Sequence, residues 1–283
     1  MTGCSKNETT KPSNKNKLKI TTTFFPMYEF AKEITGKYAH VEMIMPSNIE
    51  PHDFEPSAKN IAQINDSKLF IYNSNSLENW VPAIKKANSQ SSNTKYVEAA
   101  KGIKLLKEDN HEDPHVWLDP QLAIIEVQNI SDAICKADPK HKDYYQKRTN
   151  NYIQKLQNLS NDFSQMANDA KVKTFVVQHQ AFDYLAENYH LKQKALTGIS
   201  DDSEPSAKKL AEIQKYMQDN NLHYIFVEQG LSPKIAKTIQ TETNAKLLTL
   251  NTLEQVSPKQ QKDGATYISL MEENLQNLQK GLN

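Results

Sequence analysis

The sequence lacks most of the features that would stabilise a small secreted fold or place it in a membrane. Only two of its 283 residues are cysteines and seven are glycines, so at most one disulfide bond is available. No stretch of about 18 apolar residues is free of charges, which excludes a membrane-spanning helix. Basic and acidic residues number 34 each, and this balance argues against nucleic acid as a partner.

The amino-terminal residues 1–17 are typical of a disordered tether. Ser5–Lys17 contains lysine, asparagine, threonine, serine, glutamate and one proline, and it has no apolar side chain to bury. Before it, Thr2-Gly3-Cys4 resembles the end of a bacterial lipoprotein signal, in which the cysteine is lipidated. We expect a lipid anchor at Cys4, and an ordinary cytoplasmic amino terminus is the alternative.

Strand and helix patterns alternate along the rest of the chain, which predicts parallel α/β sheets. Between Pro139 and Ala170 there is no glycine or proline, and apolar residues recur at threes and fours, as in one long helix. We therefore expect two parallel-sheet α/β lobes, at 18–138 and 171–283, joined by a linking helix at 139–170. The predicted strands are 18–23, 41–45, 69–72, 96–97, 174–178, 224–227 and 246–248, and the predicted helices are 26–36 and 181–188 and those starting near 57, 77, 206, 233 and 267.

An internal repeat supports the two-lobe architecture. The segment Phe54–Ile64, FEPSAKNIAQI, resembles Ser203–Ile213, SEPSAKKLAEI. In both copies a proline follows a carboxylate at the start of a predicted helix, where each is favourable. A shared helix-start motif is the simpler explanation, but the matching polar and apolar order over the whole segment favours duplication.

Three of the eight histidines lie where a metal ligand would be expected. His52 lies in Glu50–Pro56 just after a predicted strand, His115 in the proline-framed loop Asp113–Pro120, and His179 at the end of a strand. Open α/β folds bind ligands at such strand ends, and imidazole is a common zinc ligand. Because the three are far apart in sequence, surface histidines are the alternative. The carboxylates expected to orient the rings are Glu50, Asp53 and Asp119.

Four segments resemble the signatures of the metal-specific solute-binding lipoproteins of bacterial ABC transporters, the cluster A family. They are EPHDFEPS at 50–57, DPHVWLDP at 113–120, HQAFDYLA at 179–186 and GISDDSEPS at 198–206, and they occur in order along the chain from Leu18 onward. The resemblance implies a two-lobed protein with a rigid linking helix and one metal ion in the cleft. It also implies delivery of the ion to a membrane ABC permease, and no enzymatic activity.

Within this family a histidine at the third signature marks the zinc branch, and a glutamate marks the manganese and iron branch, so His179 implies Zn(II). The family's fourth ligand lies in the segment Leu250–Gln255, where Glu254 is expected and Asn251 is the alternative. The other functions considered are a manganese-specific relative and a zinc hydrolase with water as the fourth ligand. The resemblance thus implies a zinc site formed by His52, His115, His179 and Glu254.

The resemblance also implies a location and partners. We expect a monomer anchored by lipid to the extracellular face of the cell membrane of a Gram-positive bacterium, with adhesion to host molecules as a further family role.

Glu228, at a strand end on the cleft side, is expected to be either a neighbour of the site or a structural carboxylate. The acidic residues Asp201, Asp202 and Glu204 indicate either a solvated helix start or a rim that attracts metal ions.

Overall fold

The computed structural model describes residues 17–47, 49–90, 92–108, 111–199, 205–229 and 232–283. Cys4 and residues 1–16 of the predicted tether lie outside the described residues. The acidic residues Asp201, Asp202 and Glu204 lie outside them as well. The lipid anchor and the metal-attracting rim therefore stay predictions.

The first lobe is built on a four-stranded parallel sheet with strands in the order β2-β1-β3-β4. A short antiparallel hairpin, β5 and β6, lies outside this sheet. The strands are β1 (Leu18–Thr22), β2 (Ala39–Met43), β3 (Leu69–Tyr72), β4 (Lys95–Glu98), β5 (Lys107–Glu108) and β6 (His111–Glu112). The helices are α1 (Phe25–Thr35), α2 (Ala58–Asp66), α3 (Val81–Ala87) and α4 (Pro120–Ala137).

The second lobe is built on another four-stranded parallel sheet, in the order β10-β9-β7-β8. Its strands are β7 (Thr174–Val177), β8 (Lys192–Ala195), β9 (Tyr224–Val227) and β10 (Lys246–Thr249). Its helices are α6 (Asp183–Asn188), α7 (Ala207–Asp219), α8 (Pro233–Thr243), α9 (Pro258–Lys262) and α10 (Tyr267–Leu282). When the strands of each lobe are counted along the chain, both sheets follow the order second, first, third, fourth. This confirms the predicted α/β class and agrees with a duplicated lobe.

The repeated sequence segment performs the same structural task in both lobes. Ser57 caps α2 by accepting a hydrogen bond from the backbone of Asn60, and Ser206 caps α7 by accepting one from Lys209. An N-cap serine satisfies a backbone N–H that the first helical turn leaves unpaired. Because α2 and α7 each precede the third strand of their sheet, the sequence repeat coincides with equivalent positions in the two lobes.

The linking helix α5 (Lys142–Asp169) begins three residues later than predicted, after a short 3-10 turn at Pro139–His141. The turn forms because Asp138 accepts hydrogen bonds from the ring of His141 and the hydroxyl of Tyr145, both at 2.7 Å. The helix packs against α1 and α4 of the first lobe and α10 of the second. It therefore supports both lobes from one side. In the described part of the chain, every helix is too short or too polar to cross a membrane.

One hydrophobic core runs through both lobes beneath the cleft. Phe30 of α1 meets Tyr267 of α10 with ring centroids 4.9 Å apart. Trp117, which is completely buried, packs edge-on against Phe24 at 4.8 Å. Its indole N–H donates to the carbonyl of Thr252 in the second lobe at 2.8 Å, and its own carbonyl accepts from the Tyr267 hydroxyl at 2.6 Å. Apolar packing and hydrogen bonds thus join the lobes.

Candidate metal centre

His52 reaches the cleft from a short turn that prolines stiffen. The chain leaves β2 and enters a 3-10 turn at Pro51–Asp53, where the proline ring fixes the first backbone angle. The Nε2 atom of His52 lies 3.2 Å from Nε2 of His115 and 3.6 Å from Oε1 of Glu254. With 9% of its side chain exposed, His52 is more accessible than the other two histidines.

His115 is held by the residue two positions before it. The carboxylate of Asp113 accepts from the backbone N–H of His115 at 3.0 Å and lies 2.7 Å from ring Nδ1. This is the local turn that an aspartate favours, and Pro114 stiffens it. Since Nδ1 carries the proton shared with Asp113, Nε2 is directed at Glu254, 3.3 Å away. The ring is completely buried and has one orientation.

His179 follows β7, and a carboxylate from the neighbouring strand orients it. Its Nδ1 lies 2.6 Å from Oε1 of Glu228, which follows β9, and its Nε2 lies 2.8 Å from the carbonyl oxygen of Ile199. Both ring nitrogens face acceptors, so this arrangement suits a doubly protonated ring. Burial lowers the pKa of His179, but the carboxylates of Glu228 and Glu254 raise it, with a net increase.

Glu254 comes from the loop after β10 and faces the imidazoles. It is 3% exposed, and its Oε1 lies 3.3 Å from Nε2 of His115 and 3.6 Å from Nε2 of His52. Burial would raise its pKa, but His115 and His52 lower it well below its ordinary value. A buried anion is costly unless a cation, such as a protonated imidazole or a metal ion, compensates it. Glu254 therefore has the environment of a metal ligand.

The alternative ligand, Asn251, is used to shape the loop. Its side-chain oxygen accepts from the backbone N–H of Leu253 at 2.7 Å, and its amide donates to Gln229 at 2.9 Å. Leu253 is buried and has a φ of +62°, a strained conformation for a leucine. The bond from Asn251 helps to hold that conformation, which turns the next residue, Glu254, into the cleft.

Three of the four side chains lie at distances that suit a tetrahedral ion, and His179 lies beside them. Zn–N bonds of about 2.0–2.1 Å in tetrahedral geometry separate ligand atoms by roughly 3.3–3.4 Å. The three distances among His52 Nε2, His115 Nε2 and Glu254 Oε1 are 3.2, 3.3 and 3.6 Å. One ligand atom from each of the three histidines lies within 4.8 Å of the others, and His179 and Glu254 satisfy the same limit. Two residues come from each lobe, so the predicted site residues are brought together.

One of the two carboxylates that orient the histidines was not predicted from the sequence. The structure assigns this role to Asp113 and Glu228, of which only Glu228 was considered. The proposed Asp119 instead accepts from the backbone of Gln121 at the start of α4, and the side chain of Asp53 is exposed. The Asp-Pro-His sequence was the available signal, because an aspartate bonds the backbone N–H two residues later.

Replacing Asp113 should weaken zinc binding although its side chain is not one of the expected ligands. Asp113→Ala removes the acceptor on Nδ1 of His115, and loss of such a partner costs about 10–100-fold in metal affinity. Competition with a zinc chelator of known affinity measures the change. Glu112→Ala, which removes an exposed carboxylate one residue away, is the matched control. Equal affinities for the two variants would show that Asp113 does not support the ligand.

The two parallel α/β lobes enclose a cleft, and both lobes contribute to its three imidazoles and its buried carboxylate. These features define a two-lobed metal-binding protein. Comparison with protein families agrees: residues 20–281 match the model described as the zinc-uptake complex component A, periplasmic. The chain belongs to this family of solute-binding transport components. Membership confirms the predicted family and the prediction that the protein is not an enzyme.

Known proteins that are similar to the chain have names that refer to zinc uptake or zinc binding. The high-affinity zinc uptake system protein ZnuA of Bacillus subtilis (strain 168) is 44% identical over 285 residues, which cover 95% of this chain and 89% of that protein. The zinc-binding lipoprotein AdcA of Streptococcus pneumoniae (strain ATCC BAA-255 / R6) is 39% identical, and the match covers 93% of this chain but 56% of AdcA.

Solved structures show the same architecture. The Zn(II)-bound ZnuA-like domain of Streptococcus pneumoniae AdcA has a TM-score of 0.86 at 41% identity, with 94% of this chain and 99% of that chain covered. The laminin-binding protein Lmb of Streptococcus agalactiae, described as having adhesin and metal-transporting activity, has a TM-score of 0.85 at 37% identity, with 94% and 100% covered. These likenesses confirm the predicted fold.

Proposed function

We propose that this protein captures Zn(II) outside the cell between its two lobes and delivers it to an ABC permease, with His52, His115, His179 and Glu254 as the four ligands. The observation that carries the proposal is the buried Glu254, whose Oε1 lies 3.3 Å and 3.6 Å from imidazole nitrogens of His115 and His52, close to the spacing of ligands around a tetrahedral ion. Membership of the zinc-uptake family and the names of its relatives support it.

The donor set favours zinc over manganese. Three imidazole nitrogens and one carboxylate suit a four-coordinate zinc ion, whereas manganese prefers more oxygen donors. The same set argues against a hydrolase, because four protein ligands leave no open position for an activated water. A carrier needs this closed arrangement, since it binds and releases the ion without changing it.

Residues outside the cleft complete the proposal. We further propose that Cys4 anchors a monomer to the outer face of the membrane of a Gram-positive bacterium through its lipid, and that residues 1–17 form the tether. The lobes are assigned to 18–138 and 171–283, with the linking helix at 139–170 between them. The lipoprotein name of AdcA supports the anchor. Adhesion to host molecules stays a prediction.

Zinc competes with protons at two of the ligands. Burial lowers the pKa of His115, but the carboxylates of Asp113 and Glu254 raise it to about 10. The pKa of His179 is raised as well. His115 therefore holds a proton on Nε2 at neutral pH, towards Glu254. At His179, acceptors at both ring nitrogens favour a proton on Nε2 as well, towards the carbonyl of Ile199. Zinc takes these places only when both protons leave, whereas Glu254 is already ionised.

We expect zinc binding near neutral pH to release about two protons per ion. The raised pKa of His115, about 10, keeps the competing proton bound well above pH 6.5. The affinity for zinc should therefore decrease as the pH falls from about 10. Calorimetry in buffers of different ionisation enthalpy gives both the stoichiometry and the number of protons. One zinc per chain with this release supports the proposal. A stoichiometry near zero would reject the function, and binding without proton release would reject the ligand set.

A further inference from the structure

A second set of possible metal ligands overlaps the proposed site. One ligand atom each from Glu50, His52 and Glu254 lies within 4.8 Å of the others. Two of these residues are also proposed ligands of the buried site, so the two sets share an edge. An ion could move from one set to the other while His52 and Glu254 stay bound.

The second set lies on the outer side of the first. Glu50 is half-buried and the side chain of His52 is 9% exposed, whereas His115 is completely buried and His179 is 2% exposed. Glu50 precedes the turn that carries His52, so both arise from the same short segment of the first lobe. Solvent therefore reaches the side of the cleft that Glu50 occupies before it reaches the deep histidines.

Glu50 also contacts the opposite lobe. Its Oε2 accepts a hydrogen bond at 2.8 Å from the side-chain amide of Gln255, the residue after Glu254. This bond crosses the cleft and holds one carboxylate oxygen in place beside the shared ligands. It gives Glu50 a second possible role, as a latch between the lobes, which any test must separate from metal binding.

A third set of candidate ligands consists of His179, Glu228 and Glu254. It is less suited to passing an ion into or out of the buried site. Glu228 lies 2.6 Å from Nδ1 of His179 and orients that ring. An ion bound by Glu228 would disrupt the support of a proposed ligand. Glu50 orients neither buried histidine, because Asp113 and Glu228 do so.

We propose that Glu50, together with His52 and Glu254, forms an outer binding set through which zinc enters and leaves the buried site. The proposal rests on the proposed zinc-binding function. An ion leaving four ligands at once must break every bond before it gains new ones. With Glu50 available, it exchanges His115 and His179 for a carboxylate one step at a time, and the barrier falls in both directions.

Stopped-flow mixing with a fluorescent zinc chelator tests this proposal. Glu50→Gln keeps an oxygen that accepts the Gln255 hydrogen bond and removes the carboxylate. We expect zinc to enter and leave about tenfold more slowly, with an equilibrium affinity within about threefold of the unsubstituted protein. Gln255→Ala, the matched control, removes the latch and keeps the carboxylate, so it should not slow release.

A double-mutant cycle gives a second measurement. With His179→Ala, the ion loses a deep ligand and shifts towards Glu50, so adding Glu50→Gln should cost at least about tenfold more zinc affinity than it does alone. Unchanged exchange rates in Glu50→Gln would overturn the outer set, and so would faster release in both Glu50→Gln and Gln255→Ala. Additive effects of Glu50→Gln and His179→Ala on zinc affinity would overturn it as well. Failure of the unsubstituted protein to bind zinc would instead reject the proposed function.

Discussion

His115→Ala should lower the affinity for zinc by about a hundredfold to a thousandfold. Structural zinc sites bind with about 10–16 kcal/mol in total, so each of four ligands accounts for about 2.5–4 kcal/mol. His115 is the best-positioned of the four, because it is completely buried and Asp113 holds its ring and its backbone N–H. Competition titrations against a chelator measure the loss.

A histidine nearby provides the control for this substitution. His111 is exposed on β6, four residues before His115, and His111→Ala should leave the affinity within about twofold of the unsubstituted protein. Circular dichroism establishes that both variants are folded. If His115→Ala bound zinc as tightly as His111→Ala, the cleft would not be the site of capture.

Zinc should raise the melting temperature of the protein by about 8–16 °C. Free zinc at a thousand times its dissociation constant stabilises the folded state by about 4 kcal/mol, and each kcal/mol shifts the melting temperature of a chain of this size by about 2–4 °C. Because the lobes share a core through Phe30 and Tyr267, the shift should appear in a single transition.

Differential scanning calorimetry with zinc and with manganese at equal free concentrations checks this expectation. Manganese should give a clearly smaller shift, since the site offers three nitrogens and one carboxylate. Equal shifts would contradict the inference that this donor set selects zinc. Two transitions, of which zinc moved only one, would show that the ligands do not tie the lobes together.

The sequence was sufficient where local chemistry decides the structure. The strand Tyr224–Val227 and the starts of α2 and α7 near residues 57 and 206 were predicted from short segments. The edge strand β8, Lys192–Ala195, was missed because its lysines and glutamine resemble a loop and only pairing with β7 defines it. Helix α3 begins at Val81 and not near Leu77, since the preceding residues form turns.

The site was predictable in part for the same reason. His52, His115 and His179 each follow a strand or a proline-framed turn, features that a sequence displays. The pairings across the two lobes are not visible in this way. The contact of Glu50 with Gln255 joins residues from opposite ends of the chain, and the direction of Glu254 depends on the strained backbone of the preceding residue.

Trp117 makes the cleft accessible to fluorescence spectroscopy. Its ring centroid lies 5.2 Å from that of His115, and its indole N–H bonds to the opposite lobe. A protonated imidazole quenches the emission of a nearby indole, and an imidazole bound to zinc no longer carries that proton. Since the chain has two tryptophans, Trp80→Phe would leave Trp117 as the single emitter. The emission intensity of Trp117 would then report zinc binding and release without any added dye.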